Sequence, residues 1–267
     1  MTLLVAPTAG SAAIPDWLGV AASIVLVGIA AAIALRQRLG ITRELLWAAV
    51  RAFVQLLAVG AALTILFNRA GLLGSLLWIG GMVTIAGLVA AGRARTLPHA
   101  RRTAWIAIGV GTSTTLGILL VLGVIAPEPV VVVPVGGMVV SGAMTAASMT
   151  MRGIAAAAAE QRPAIEARLS LGQTSAQAFE AYFRSGVRMA LVPAIDSTKV
   201  VGLIALPGAM TGLILAGVPP LEAIRYQIVV MYMLLAAAAL SSIVAARVTE
   251  RSLFDDADRL HRLEPVA

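Results

Sequence analysis

Cysteine is absent from the 267-residue sequence, and lysine occurs only once, as Lys199. Without cysteine the chain forms no disulfide bonds and no thiolate metal site. A phosphate-binding loop requires a Gly-Lys-Ser/Thr motif, because its lysine contacts the phosphates. Lys199 is preceded by Thr198 and flanked by apolar residues, so it does not belong to such a loop. Any ATP hydrolysis linked to this protein must therefore take place in another polypeptide.

Charged residues are also scarce, at 12% of the chain, whereas 60% of the residues are hydrophobic and the mean hydropathy is +0.94. Soluble domains carry about 25% charged residues. This composition indicates an integral membrane protein. The net charge of +7 does not predict a nucleic-acid partner, because the positions of the cations along the chain explain it better.

Seven segments are apolar and long enough to cross a bilayer, whose hydrocarbon core requires about 20 helical residues. They cover residues 17–35, 46–67, 72–91, 104–125, 130–151, 200–218 and 223–246. The predicted fold is an all-α integral membrane protein with about seven transmembrane helices. These helices are predicted to form a single transmembrane domain over residues 1–267.

Seventeen of the twenty cationic side chains follow the first, third, fifth or seventh of these segments. Lys and Arg concentrate in cytoplasmic loops of membrane proteins. This rule places the N-terminus outside and the C-terminus in the cytoplasm. The short tail at 247–267, in which Asp255, Asp256 and Asp258 alternate with arginines, is interpreted as a solvated cytoplasmic helix.

The longest polar stretch on the predicted cytoplasmic side covers residues 160–188. Pro163 suits the first turn of a helix and Gly172 its C-terminal cap. Thr174 and Gln177 have the spacing of a capping box, which starts a second helix. One interpretation is a short helix that transmits force to the following span. The other is an ordinary interfacial helix pair with a solvated charged face.

Part of this stretch resembles the Glu-Ala-Ala…Gly loop of ABC-transporter permeases. Glu166 and Ala167 are followed by Gly172 six residues after the glutamate, although Arg168 replaces the second alanine and the expected proline comes late, as Pro193. In that family the loop forms the coupling helix that docks on the ATP-binding subunit. The resemblance implies the ATPase-coupling candidates Glu166, Ala167, Arg168, Leu171, Gly172 and Thr174.

A closer resemblance extends over nearly the whole chain. It is to the small ABC-permease family that includes the bacterial iron-export permease and the plant permease linked to aluminium tolerance. The segments that carry it are Arg51-Ala-Phe-Val-Gln55-Leu, Leu169-Ser-Leu-Gly172, Val192-Pro-Ala-Ile-Asp196-Ser-Thr-Lys199, Val201-Gly-Leu-Ile-Ala-Leu-Pro207-Gly208-Ala-Met210-Thr-Gly212 and Ala223-Ile-Arg-Tyr226-Gln227-Ile. It implies a multi-pass permease subunit in the bacterial plasma membrane, with ATP and Mg bound by a separate cassette subunit, that exports iron or a related species.

Asp196 and Lys199 are opposite charges beside a predicted span, and their i,i+3 spacing places them on one helix face. Ionisable groups near a bilayer mark either a transport pathway or a structural pair. In the first case Asp196 contacts a cation or gates its entry. In the second the two charges neutralise each other and lock the helix end.

Three further residues are candidates for the transport path. Arg51 and Gln55, together with Glu44, line a cytoplasmic vestibule in one interpretation and extend to the headgroups in the other. Met210, from the Leu-Pro-Gly-x-Met-x-Gly segment, is the third candidate. The ten methionines are interpreted mainly as packing residues, because neither histidine lies in a predicted span. No tight metal site is predicted, so an iron substrate would bind loosely through oxygen ligands or pass as a complex.

Three functions compete at this stage. The first is an ABC permease subunit that works as a homodimer with two ATPase subunits by alternating access. The second is a proton-coupled secondary transporter in which Asp196 carries the proton. The third, an intramembrane enzyme, finds no support, because the predicted spans contain no His/Asp/Ser constellation. The chain itself is therefore expected to be neither an enzyme nor a binder of cofactors.

Overall fold

The computed structural model describes residues 17–69, 71–255 and 257–263, and these parts of the chain form nine α-helices. Asp256, one of the acidic residues in the tail, lies outside the described residues. The helices are α1 (Trp17–Arg36), α2 (Thr42–Arg69), α3 (Leu72–Arg93), α4 (Ala100–Val121), α5 (Pro129–Glu160), α6 (Arg162–Ser170), α7 (Ser175–Val200), α8 (Gly208–Leu215) and α9 (Pro220–Leu253).

Within the described residues, six helices are long and apolar enough to cross a membrane, namely α1, α2, α3, α4, α5 and α9. They coincide with six of the seven predicted spans, which confirms the all-α membrane fold. Their orientation in the bilayer stays a prediction. The two longest, α5 with 32 residues and α9 with 34 residues, are more than ten residues longer than the roughly 20 that a span requires.

The remaining predicted span, 200–218, is not one helix. After α7 ends at Val200, Gly202 adopts a φ of +80° and its N–H donates to the Ala205 carbonyl at 2.9 Å. This tight turn separates α7 from α8. Because α8 has only eight residues, it is about 12 Å long and too short to cross the hydrocarbon core.

The described helices fall into two compact units. The first contains α1, α2, α8 and the first turn of α9, and α1 packs against α2 within it. Large apolar side chains on α1 and α2 are exposed along most of their length. In a membrane protein such a surface faces lipid or other apolar segments.

The second unit contains α3 to α7 and α9 from Ile224 onwards. Helix α5 lies at its centre and packs against α3, α4, α6 and α7. Small residues permit close helix contacts, since lipid gives helices no hydrophobic drive to associate. At Gly186 of α7, for example, an added Cβ would lie 2.8 Å from Cγ1 of the buried Ile154 of α5.

Candidate functional site

The predicted short helix is present as α6, nine residues long, with Pro163 in its first turn. The helix ends at Ser170 and is capped by Gly172, whose φ is +85°. The Gly172 N–H donates to the Leu169 carbonyl at 2.9 Å, and the Gln173 N–H donates to the Arg168 carbonyl at 3.2 Å. These two bonds form a Schellman motif, which satisfies the last carbonyls of a helix. The predicted glycine cap is confirmed.

The capping box that starts α7 is also confirmed. The Thr174 hydroxyl accepts a hydrogen bond from the Gln177 N–H at 3.3 Å, and the Gln177 side-chain oxygen accepts one from the Thr174 N–H at 3.1 Å. Between the Gly172 cap and this box lies only one residue, Gln173. The connection from α6 to α7 is therefore short and hydrogen-bonded at both ends, which limits independent movement of the two helices.

The inner side of α6 is packed and hydrogen-bonded against α7. Ile165 is fully buried, as are Ala178 and Phe179 of α7. The Arg168 guanidinium donates to the Ala178 carbonyl at 3.3 Å and lies 5.8 Å from the centre of the Tyr182 ring. Arginine at this position, which differs from the alanine of the resembling loop, therefore ties α6 to α7.

The outer side of α6 is open. The Leu171 side chain, at the end of the helix, is 83% exposed, and Glu166, Ala167, Gly172 and Thr174 are exposed as well. Glu166 forms an ion pair with Arg162 at 2.7 Å one turn earlier. We call the exposed residues between 163 and 174 the coupling surface.

Further along α7, Asp196 and Lys199 lie 3.6 Å apart, and their side chains are 61% and 70% exposed. The predicted ion pair is therefore present, in an open position. Pro193 lies one turn earlier, inside the helix. A proline there removes one hydrogen bond of the helix and leaves a carbonyl free.

Beside Pro193 there is an open groove of about 660 Å³ between α5, α7 and α9. Its lining is mostly apolar, with the hydroxyl-bearing residues Ser141, Thr145 and Ser197 and with Met138. Neither Asp196 nor Lys199 lines it. The groove offers a substrate weak oxygen ligands and one thioether, but no carboxylate or imidazole.

The other path candidates lie in the first unit. Arg51 and Gln55 are exposed on α2, and Met210 on α8 is buried. Asp196 and Lys199 lie in the second unit. Among the described residues no cluster of three or more histidine, aspartate or glutamate side chains could hold a metal ion.

Two features were not foreseen from the sequence. One is Gln227 of α9, which is buried with no hydrogen-bond partner for either side-chain atom; an amide inside an apolar segment was the available signal. The other is the tail, which was wrongly expected to be a solvated helix. Helix α9 runs to Leu253, after which residues 254–255 and 257–263 turn back beside α6. There they share a groove of about 890 Å³ with the coupling surface.

The tail departs from a helix because Asp255 closes a turn. Its carboxylate accepts hydrogen bonds from the Ala257 N–H at 3.0 Å and the Arg259 N–H at 2.8 Å, and it pairs with the Arg259 side chain at 2.8 Å. Aspartate side chains commonly stabilise turns in this way and compete with helix formation. These bonds, the backbone bond from Arg259 first, lower the pKa of Asp255 below its ordinary value of 3.8.

Comparison with known proteins identifies one matching family and several related proteins. The model of an uncharacterised protein family, UPF0014, matches residues 17–254. The chain is 42% identical over 240 residues to the UPF0014 membrane protein STAR2 of Oryza sativa subsp. japonica, a match that covers 90% of this chain and 84% of the relative. It is 36% identical to the probable iron export permease protein FetB of Escherichia coli, over 90% and 93% of the two chains.

A third relative is the protein ALUMINUM SENSITIVE 3 of Arabidopsis thaliana, 38% identical over 90% of this chain and 88% of that protein. No solved structure matches the chain significantly. The family model extends over both units and over every span described above. The chain is thus a multi-pass membrane protein, and it belongs to the UPF0014 family.

Proposed function

We propose that this protein is the membrane-spanning subunit of an ABC transporter, and that a separate cassette subunit binds ATP and Mg and drives it. The observation that carries the proposal is the construction of α6. The helix is capped at its end, joined to α7 by a hydrogen-bonded turn, and exposes Leu171 on its outer side. The sequence contains no phosphate-binding loop of its own, so any ATP hydrolysis that drives it must take place in a partner.

The mechanism is alternating access. In the proposed machine two copies of this chain pair, each with one ATPase subunit docked on its coupling surface. When ATP closes the two ATPase subunits on each other, the α6 helices move with them and tilt α7. The groove beside Pro193 then changes its access from one side of the membrane to the other. Transport is directional only if the two states bind the cargo with different affinities.

The proposed cargo is iron or a related metal species moved outwards, as the name of the Escherichia coli relative indicates for that protein. No cluster of hard or imidazole ligands is present among the described residues. The groove therefore suits a weakly held ion, bound through hydroxyl and carbonyl oxygens, or a metal complex whose ligands travel with it. Tight ligation would in any case slow release on the far side.

The proposed location is the bacterial plasma membrane, with the N-terminus outside and the coupling surface in the cytoplasm. The basic residues support this orientation. Arg162 donates to the Leu260 and His261 carbonyls, which puts the tail on the same side as α6. The 26-residue helix α7 therefore crosses the bilayer in addition to the six apolar helices. The ATPase subunit and its nucleotide are cytoplasmic, so the coupling surface has to be there as well.

Vesicles reconstituted with the purified chain test the proposal. With the cassette subunit and ATP on the coupling-surface side, we expect metal to leave that side, and no transport when either is missing. A non-hydrolysable nucleotide is the matched control. Transport by the chain alone under a pH gradient, and its loss in Asp196→Asn, would instead establish the proton-coupled transporter.

A further inference from the structure

The C-terminal hook, residues 254–255 and 257–263, links the end of α9 to α6 through specific bonds. At its base the His261 N–H donates to the Leu253 carbonyl at 2.8 Å, so the hook folds back onto the last turn of α9. Leu253 is fully buried and Leu260 is 6% exposed. The hook is therefore packed against the second unit and is not a free tail.

Arg162, the first residue of α6, holds the hook. Its guanidinium donates to the Leu260 carbonyl and to the His261 carbonyl, each at 3.0 Å. The same side chain pairs with Glu166 at 2.7 Å. A planar guanidinium makes several such bonds in fixed directions, which a lysine ammonium does not. Arg162 thus joins the start of the coupling helix to the chain that follows α9.

The hook also contacts α7. The Phe254 ring packs edge-on against the buried Phe179 ring, with the ring centres 5.8 Å apart and an interplanar angle of 78°. This geometry is favourable for aromatic pairs. The beginning of α7 and the end of α9 therefore share one aromatic contact, next to the place where Arg162 holds the hook.

We propose that Arg162 is a positioning residue that couples α6 to α9 through the C-terminal hook, so that a movement of α6 reaches α9 as well as α7. This inference rests on the proposed ABC function. Chain connectivity alone transmits motion from α6 into α5 and α7. Helix α9 contacts α7 through Arg247, whose guanidinium lies 4.4 Å from the centre of the Phe183 ring. The hook adds a direct link from α6 to α9, which lines the groove beside Pro193 through Leu234 and Ala238. Two walls of the groove then move with the coupling surface.

The experiment compares full-length variants, each co-reconstituted with the cassette subunit, and measures both ATP hydrolysed and metal transported. For Arg162→Ala we expect the complex to assemble and hydrolyse ATP at the wild-type rate, while the metal moved per ATP falls at least about tenfold, as for a lost charge-assisted hydrogen bond. Arg162→Lys should be intermediate. Arg184→Ala, which breaks another exposed arginine–glutamate pair one turn apart, is the matched control and should stay coupled.

A truncation separates this role from general stability. Removing residues 254–267 should uncouple transport to the same extent as Arg162→Ala, and adding Arg162→Ala to the truncated chain should cause no further loss. Thermal unfolding in detergent shows whether Arg162→Ala folds. If it does not fold, Arg162→Lys is used to test whether Arg162 couples α6 to the hook. If Arg162→Lys and the truncated chain both move as much metal per ATP as the wild type, the hook linkage is wrong and the proposed function is unaffected. Absence of ATP-driven transport in the wild-type complex overturns the proposed function and the linkage together.

Discussion

Gly172 occupies a backbone conformation that few other residues tolerate. Its φ of +85° lies in the left-handed region, which costs a residue with a Cβ about 1 to 2 kcal/mol. There is no atom near the position where a Cβ would lie, so sterics with neighbours do not add to this cost. The glycine is required by the turn between α6 and α7 and not by packing.

Gly172→Ala is therefore expected to lower the free energy of unfolding by about 1 kcal/mol. Denaturant or thermal unfolding of the protein in detergent measures the change. Gly92→Ala is the matched control, because Gly92 also has open space around it but an ordinary helical backbone. An equal loss in both variants would contradict the role assigned to the left-handed conformation.

Asp255 makes the hook dependent on pH. Its pKa is lowered by the N–H and guanidinium of Arg259 and by the Ala257 N–H, so the ionised form stabilises the folded hook. This stabilisation is complete above the ordinary pKa of 3.8 and is lost as the pH falls through the lowered value. The other ionisable residues that share its groove are Arg162, Glu166, Asp258, His261 and Arg262.

We expect hydrogen-exchange protection of residues 254–263 to decrease in the wild type below the ordinary pKa of Asp255, after correction for intrinsic rates. In Asp255→Asn the protection should already be low at neutral pH and change little on acidification. Asp258→Asn retains every bond that Asp255 accepts and should follow the wild type. A hook equally protected in Asp255→Asn would show that the carboxylate does not hold the turn.

At the scale of helices, the contact between α5 and α7 holds in place the helix that follows the coupling surface. Gly186 allows α7 to approach Ile154 of α5 closely, since an added Cβ would lie 2.8 Å from its Cγ1. Ile154 is fully buried and has little room to move. Overpacking of this kind usually costs about 1 to 3 kcal/mol.

Gly186→Ala is accordingly expected to destabilise the protein by about 1 kcal/mol or more and to reduce transport per ATP. Gly80→Ala provides the comparison, because Gly80 of α3 has no atom within 4 Å of its added Cβ. The unfolding temperature in detergent and the vesicle assay give the two readouts. Alanine favours a helix more than glycine does, so Gly80→Ala should not lose stability. An equal loss in Gly80→Ala and Gly186→Ala would contradict the role assigned to the α5–α7 contact.

The sequence predicted helices well where apolar length alone decides the outcome. Six spans were located because a run of about 20 apolar residues can satisfy its backbone hydrogen bonds in a bilayer as an α-helix. The cap at Gly172 and the box at Thr174 were located because each has a local chemical cause. The 200–218 segment was misjudged, since composition did not reveal the turn at Gly202.

The hook was missed for a different reason. Its position depends on Arg162 and Phe179, which are 75 or more residues away from it in the chain. No local pattern contains such a contact. The sequence correctly placed Asp196 and Lys199 on one helix face. It did not reveal the groove beside Pro193, because three helices build that groove.

At the scale of the whole molecule, the orientation in the membrane follows from the basic residues and is open to a direct test. The chain has no cysteine, so a single introduced thiol is labelled without background. Leu171 and Leu122 are 83% and 70% exposed, and they lie on opposite sides of the predicted topology. In intact cells, Leu122→Cys should react with a membrane-impermeant maleimide and Leu171→Cys should not.

In inverted membrane vesicles the labelling pattern of the two thiols should be reversed. Equal labelling of both variants in intact cells would mean that the maleimide has leaked through the membrane, and such a preparation is discarded. Labelling of Leu171→Cys from outside intact, sealed cells would place the coupling surface in the outer compartment. No cytoplasmic ATPase subunit could then dock there.

The central claim is that an external ATPase drives this permease through the coupling surface. The most direct measurement is ATP-driven metal transport by the complex that carries Leu171→Asp, with Leu39→Asp, an exposed leucine of the α1–α2 connection, as the matched control. We predict that Leu171→Asp inserts and folds normally but loses association with the cassette subunit and transports no metal, while Leu39→Asp transports at the wild-type rate. Wild-type transport by Leu171→Asp would contradict the account.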